Sequence, residues 1–187
     1  MSAPREPDAV RLIANLFSSD RQVIKAVSGE MEVLFGPIDW ESPWLLFDRT
    51  RYYEREMGWP LHRRFVSFER LIMPEGIVAV KLATNKLESK YVQDGNRKIN
   101  IDPGYISLER LILATGKNYT HRIYLSKGIY ADLTLIFHKG SFRPLDWTYR
   151  DYSDPRTIEM FNNERERYKL VIRPKIREPV GPYATDF

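Results

Sequence analysis

The chain has 187 residues, a formal net charge of +4 and no cysteine. That length suits one domain whose core needs no metal or disulfide staple, and the missing cysteines exclude disulfide scaffolds, cysteine nucleophiles, Fe–S clusters and cysteine-ligated zinc. No apolar run approaches the ~18 residues of a membrane span, and residues 1–8 are polar with two prolines, unlike a secretory signal. The expectation is a soluble, cytoplasmic protein.

Residues 10–17 (VRLIANLF) read as a largely buried strand. Ser18, Ser19 and Asp20 then offer helix caps, and Val23, Ile24, Val27, Met31 and Leu34 lie on one face of a helix that Gly36 stops. Residues 38–47 form a strand that Pro43 interrupts or confines to an edge. Residues 52–57 and 64–72 read as further strands, with a turn at Gly58-Trp59-Pro60 between them. Pro74 suits the first turn of a second helix. That helix carries Ile77, Val80, Thr84, Leu87 and Tyr91 on one face and ends at Asp94-Gly95.

Residues 97–101 alternate as a strand, Asp102-Pro103-Gly104 reads as a turn, and periodicity leaves residues 107–114 open between helix and buried strand. Residues 119–138 form the clearest hairpin, closed by Ser126-Lys127-Gly128. That loop sets Leu125 opposite Ile129, Tyr124 opposite Tyr130 and Arg122 opposite Asp132. One face then carries Ile123, Leu125, Ile129, Ala131, Leu133, Leu135 and Phe137 as core. The other carries Arg122, Tyr124, Tyr130, Asp132, Thr134 and His138, and His121 falls on the core side. An aromatic connection, 141–152, leads to Asp154-Pro155 and a third helix. Ile158, Phe161, Arg165 and Tyr168 pack on the sheet, with Glu159, Glu164 and Arg167 outward. The predicted architecture is a single α+β domain over 1–172. It has a mixed or antiparallel sheet with helices packed on it and a ferredoxin-like first half. An extended, proline-containing tail follows over 173–187.

Several motifs are missing. There is no GxGxxG or GxSxG, and Gly116-Lys117 has Leu111 where a phosphate loop needs glycine and Asn118 where it needs Ser or Thr. His62, His121 and His138 lack metal-ligand spacing, so no metal site is assigned. The hairpin's polar face is the first candidate site. Arg122 can grip a phosphate or carboxylate with two parallel bonds, Tyr124 and Tyr130 can stack on a ring, and Asp132 can orient the arginine. The plainer alternative is a solvated sheet face with a cross-strand ion pair. On a strand, Glu54 and Glu56 would share a face roughly 6.5–7 Å apart, a spacing that could hold Mg²⁺ or serve acid–base work; the alternative is a salt-bridged edge. Basic and aromatic residues alternate at Arg51-Tyr52-Tyr53 and His62-Arg63-Arg64-Phe65. Phe65-Val66-Ser67-Phe68 matches only half of an RNA-stacking pattern.

The segments PREPDAVRLIANLFSSD, FDRTRYYEREMG, RRFVSFERLI, INIDPGYISLERLILAT, THRIYLSKGIYADLTL and PLDWTYRDY, taken in order, resemble a family of bacterial proteins, the domain of unknown function numbered 4416. The resemblance runs to about Tyr168 and implies a bacterial, cytoplasmic protein; it assigns no activity, cofactor or catalytic residue. It adds Asp102-Pro103-Gly104-Tyr105 as a third marked segment. The expectation is a small anionic ligand, phosphorylated or nucleotide-like, in a polar pocket on the sheet. Arg122, Tyr124, Tyr130 and Asp132 would line it, with Asp102, Tyr53 and Glu54 as neighbours. The competing expectation is a non-catalytic module binding RNA, single-stranded nucleic acid or a protein through Arg51, Tyr52, Arg63, Arg64 and Phe65.

Overall fold

The computed structural model describes residues 3–48 and 50–176, with side chains to Ile172. Of the extended tail expected at 173–187, residues 173–176 instead continue the last helix, and 177–187 lie outside the described residues. The first strand, β1 (Val10–Ser18), is buried along its whole length. Both of its faces are covered, so its sequence is nearly continuous in apolar residues rather than alternating. Asp20 caps α1 (Arg21–Phe35) by accepting from the Gln22 N–H at 2.8 Å, and Gly36 (φ 97°) ends it. Pro43 splits the next segment into β2 (Ile38–Glu41) and β3 (Leu45–Leu46). Ser42 bridges the gap by donating its N–H to Phe65 O and accepting the Phe65 N–H on its hydroxyl.

The predicted strand at 52–57 is instead a single helical turn, α2 (Glu54–Met57). Tyr53 and Met57 are four residues apart, so a helix presents both to one cluster, around Phe17, Phe47 and Leu61, while the charged residues between them face outward. Then β4 (His62–Ile72) and one 3-10 turn at Pro74–Gly76 lead into α3 (Ile77–Lys90). Asp94 and Gly95 do not end that helix. They form the left-handed turn of a small hairpin between β5 (Val92–Gln93) and β6 (Asn96–Arg97).

Residues Asp102-Pro103-Gly104 are not a turn; they lie within β7 (Asn100–Ile106). The open segment after them is a strand, β8 (Arg110–Thr115), and the hairpin is β9 (Arg122–Ser126) with β10 (Ile129–His138). A short β11 (Ser141–Pro144) and α4 (Pro155–Ile176) complete the chain. The large sheet has nine strands in the order β11-β10-β8-β7-β1-β4-β2, with β3 beside β4 and β9 beside β10, and every pair is antiparallel. Ile24, Val27 and Met31 of α1 and Ile77, Val80 and Leu87 of α3 cover one face, against Leu12, Ala14 and Leu16. Phe161 of α4 packs on the other face with Ile13, Phe65 and Leu135. The fold is thus α+β, with helices on both sides of one antiparallel sheet.

Helix α4 is less solvated than its charge suggests. Glu164 is fully buried, accepting from Ser67 at 2.7 Å and from Arg167 at 2.7 Å. Arg167 and Arg11 both reach Asp39, at 3.1 and 2.7 Å, which ties the helix to the outer end of β1 and β4. Burial pushes the Asp39 carboxyl up, but the Arg11 bond and charge, with Ser67 and Arg167, outweigh it and hold it below the usual carboxylate range.

Candidate functional site

The sheet forks between β7 and β8. Their ladder begins at Gly104↔Leu113 and runs to Ile106↔Leu111. At Gly104 the strands are pinched: a Cβ there would lie 2.3 Å from Ile112 O and 2.8 Å from Leu113 Cδ2. Just before it stands Pro103, which has no N–H to extend a ladder. Two residues further back, at Ile101, β8 is replaced altogether. The Ile101 N–H donates to Glu88 Oε1 (2.6 Å) and its carbonyl accepts from Lys81 Nζ (2.9 Å). Both side chains are buried and come from the sheet-facing side of α3. Meanwhile β7 stays with β1 as far as Phe17↔Asn100, and β8 stays with β10 as far as Thr115↔Tyr130. A cavity of about 860 Å³ opens in the fork, within the size range of small-molecule sites.

The buried end of this cleft is polar. Asn15 and Asp102 are direct cross-strand partners, and the Asn15 amide donates to Asp102 Oδ2 at 3.4 Å. Asn100 sits two residues before Asp102, so it lies on the same face. Its Oδ1 accepts from Arg97 at 3.1 Å. Arg97 also grips Glu56 at 2.6 Å, which lowers the Glu56 carboxyl and raises the guanidinium. Burial raises the Glu88 carboxyl, with Lys81 offsetting part of the rise. Arg63 pairs with Asp151 and lies over the rings of Phe47 (4.7 Å) and Phe65 (5.0 Å); burial pushes it down to about 10. Burial also raises Tyr152, and lifts Tyr53 to about 12 with help from the Asp102 charge.

The hairpin forms another wall. Arg122 Nε donates to Asp132 Oδ2 at 2.9 Å, Nη1 to Lys117 O at 3.0 Å and Nη2 to the Tyr149 hydroxyl at 2.7 Å. His121 Nε2 also approaches Asp132 Oδ2, at 3.2 Å, and its ring stacks on Trp147 at 5.0 Å. A family model described as Domain of unknown function (DUF4416) matches residues 8–168. The chain belongs to this DUF4416 family. The matched span contains every residue that lines the cleft. No curated protein and no solved structure matches the chain.

Of the seven residues expected at a polar pocket, four line the cleft together: Arg122, Asp132, Asp102 and Tyr53. Three do not. Tyr124 and Tyr130 pack edge-to-face on each other at 5.2 Å, outside the lining. Glu54 pairs with Arg51 at 3.1 Å on the surface, and Glu56 turns away to Arg97, so α2 separates the two carboxylates proposed for Mg²⁺. Among the described residues, no three His, Asp or Glu side chains are grouped to hold a metal ion. The cross-strand pairs Tyr124↔Tyr130 and Arg122↔Asp132 are as the turn predicts. Ile129 pairs with Ser126 instead of Leu125, because a bulge follows Ile129 and the turn is only Lys127-Gly128.

The burial of the hairpin is mixed: Ile129 and Leu135 are buried as predicted, but the β9 end of the predicted core face is exposed and part of the polar face is not. Asp132 and Thr134 are buried, while Ile123 is 69% exposed. The connection after β11 folds over the polar face, where Trp147 Nε1 donates to Leu133 O (2.8 Å) and Thr148 Oγ1 to Thr134 O (2.6 Å). His121 precedes β9, in a turn closed by Arg122 N–H to Tyr119 O, so strand alternation never applied to it. Of the residues offered to a nucleic acid, Arg63 and Phe65 are buried, and Arg64 lies over Trp44 at 4.1 Å. Sequence reasoning missed Asn15, Lys81, Glu88 and Asn100. The available signal was Lys81 and Glu88, seven residues apart beside the apolar positions of one helix, which places both toward the sheet.

Proposed function

We propose that the protein binds a small anionic ligand, phosphorylated or nucleotide-like, in the cleft between β7 and β8, as a bacterial cytoplasmic protein. One observation carries this reading. Four buried polar atoms of the lining have no protein hydrogen-bond partner: Asn15 Oδ1, Asn100 Nδ2, Arg63 Nε and the Tyr152 hydroxyl. An unmet buried polar group costs about 1–3 kcal/mol, so an occupant that meets them gains affinity. The sign of the ligand's charge follows from the mouth. Lys117 and Arg150 line it and are exposed, and Arg122 stands behind them. Of the lining carboxylates, Asp132, Asp151 and Glu88 each lie against an arginine.

Thermal unfolding against inorganic phosphate, sugar phosphates and nucleotides tests the reading. A ligand at 100 times its Kd stabilises by about 2.7 kcal/mol, which raises the midpoint by roughly 5–10 °C at this chain length. The double variant Lys117→Ala/Arg150→Ala should lose most of that rise. Arg122→Ala is a poorer probe, because it strands the buried Asp132. A midpoint unmoved by every phosphorylated compound refutes the proposal.

A further inference from the structure

We infer that the floor of the cleft recognises a vicinal diol, which makes the ligand a phosphate monoester of a sugar. This inference rests on the anion-binding reading above and adds the chemistry of the ligand's other end. Three polar side chains share one face of the paired strands β1 and β7: Asn15, Asn100 and Asp102. Asn15 is 2% exposed and Asn100 6%. Asn15 Oδ1 needs a donor and Asn100 Nδ2 needs an acceptor. Asp102 adds carboxylate oxygens beside Asn15 that accept only. Its one hydrogen bond here, from Asn15, is long at 3.4 Å.

The group that fits must therefore donate to two neighbouring acceptors and also accept. An ammonium donates but cannot accept, and Lys81, Arg63 and Arg97 border the same floor and repel it. An ionised phosphate oxygen accepts but cannot donate, and it would face Asp102. A hydroxyl does both. Two adjacent hydroxyls would serve Asn15 Oδ1 and Asp102 as donors, with one accepting from Asn100 Nδ2. The cationic side chains at the mouth then hold the phosphate. The arrangement reads a polar pair at the buried end and a charge at the open end, so a ligand with both is favoured over phosphate alone.

The shared chemistry is found in free sugar phosphates and in nucleoside monophosphates, and calorimetry on the full chain separates them. Ribose 5-phosphate is compared with 2-deoxyribose 5-phosphate, adenosine 5′-monophosphate with its 2′-deoxy form, and inorganic phosphate serves as the anion alone. The hydroxyl-bearing member of at least one pair should bind 10-fold or more tighter than its deoxy partner. The pair that shows the ratio identifies the source. In Asp102→Ala the ratio should collapse toward one, with circular dichroism reporting that the variant is folded and Asp102→Asn as the alternative should it not be. Both pairs binding within threefold overturns the diol inference and leaves the anion site standing. Absence of binding by all five compounds overturns both.

Discussion

Replacing Gly104 with alanine tests the pinch that starts the fork. The added Cβ would sit 2.3 Å from Ile112 O, a backbone atom, and 2.8 Å from Leu113 Cδ2. An ordinary carbon–oxygen contact is about 3.3–3.6 Å, so β8 must retreat from β7 by roughly 1 Å. Overpacking of this kind costs about 1–3 kcal/mol, and a stretched ladder bond adds about 0.5–1.5 kcal/mol. The expected loss is about 2–4 kcal/mol, which lowers the thermal midpoint by roughly 5–15 °C in a chain of this size. Urea unfolding followed by tryptophan fluorescence and circular dichroism measures it. Gly29→Ala is the matched control. Gly29 is exposed within α1, and nothing lies within 4 Å of its Cβ position. That variant should gain about 0.5–1 kcal/mol. A Gly104→Ala protein within 0.5 kcal/mol of the parent refutes the pinch, and with it the account of why the cleft opens where it does.

Lys81→Met removes the donor to the Ile101 carbonyl and should cost about 1–3 kcal/mol in urea unfolding; an unchanged midpoint would show that the lysine does not hold β7. Glu88 titrates higher folded than unfolded, since burial disfavours its charge. Over the interval between those two values the folded state binds more protons, so this group's contribution to stability falls as pH rises through its folded pKa. The stability of Glu88→Gln relative to the parent should therefore climb with pH above the unfolded glutamate value of about 4.3, and a flat difference from pH 4 to 8 would contradict this. Asp39 titrates lower when folded, so its contribution is present above about pH 4 and lost as pH falls through its folded value. At neutral pH, Asp39→Asn leaves the buried Arg11 without its carboxylate and should cost about 3–5 kcal/mol, a deficit that narrows in acid.

Where local chemistry and tertiary packing agree, the fold was legible in the sequence. Asp20 and Gly36 bracket α1 because capping is a property of three or four residues. The Arg122↔Asp132 register is the predicted one, although a two-residue turn followed by a bulge produces it in place of a three-residue loop. Legibility failed where a distant segment changes the meaning of a pattern. Alternation at 52–57 suggested a strand, which would put Tyr53, Arg55 and Met57 on one face; the Phe17–Phe47 stack takes Tyr53 and Met57 and leaves Arg55 exposed, as a helical turn allows. The polar face of the hairpin looked solvated because nothing at 122–138 signals that Trp147 and Thr148 will fold over it.

Asp102-Pro103-Gly104 carries the most instructive misreading. Proline and glycine usually bend a chain, and here they modify a sheet. Gly104 permits a contact too close for any side chain, and Pro103 withholds the N–H that would continue the ladder. What sequence-local reasoning could not supply is the substitute for β8. Lys81 and Glu88 clamp the two polar atoms of one peptide, so β7 stays satisfied without a neighbouring strand. A sheet can fork without exposing backbone only if something else meets its hydrogen bonds. Once α3 does so, the side chains of Asn15, Asn100 and Asp102 border open space between two rigid halves of a sheet. Asp102, Tyr53, Arg122 and Asp132 were each visible as unusual residues, but the site exists because two charged residues of a helix face inward. Polar burial that serves packing, as at Asp39 and Glu164, is matched by arginines. At Asn15 and Asn100 the unmatched polar atoms belong to residues that border the open cleft, where an occupant can meet them, whereas the unmatched Nε of Arg11 belongs to a guanidinium already paired with Asp39.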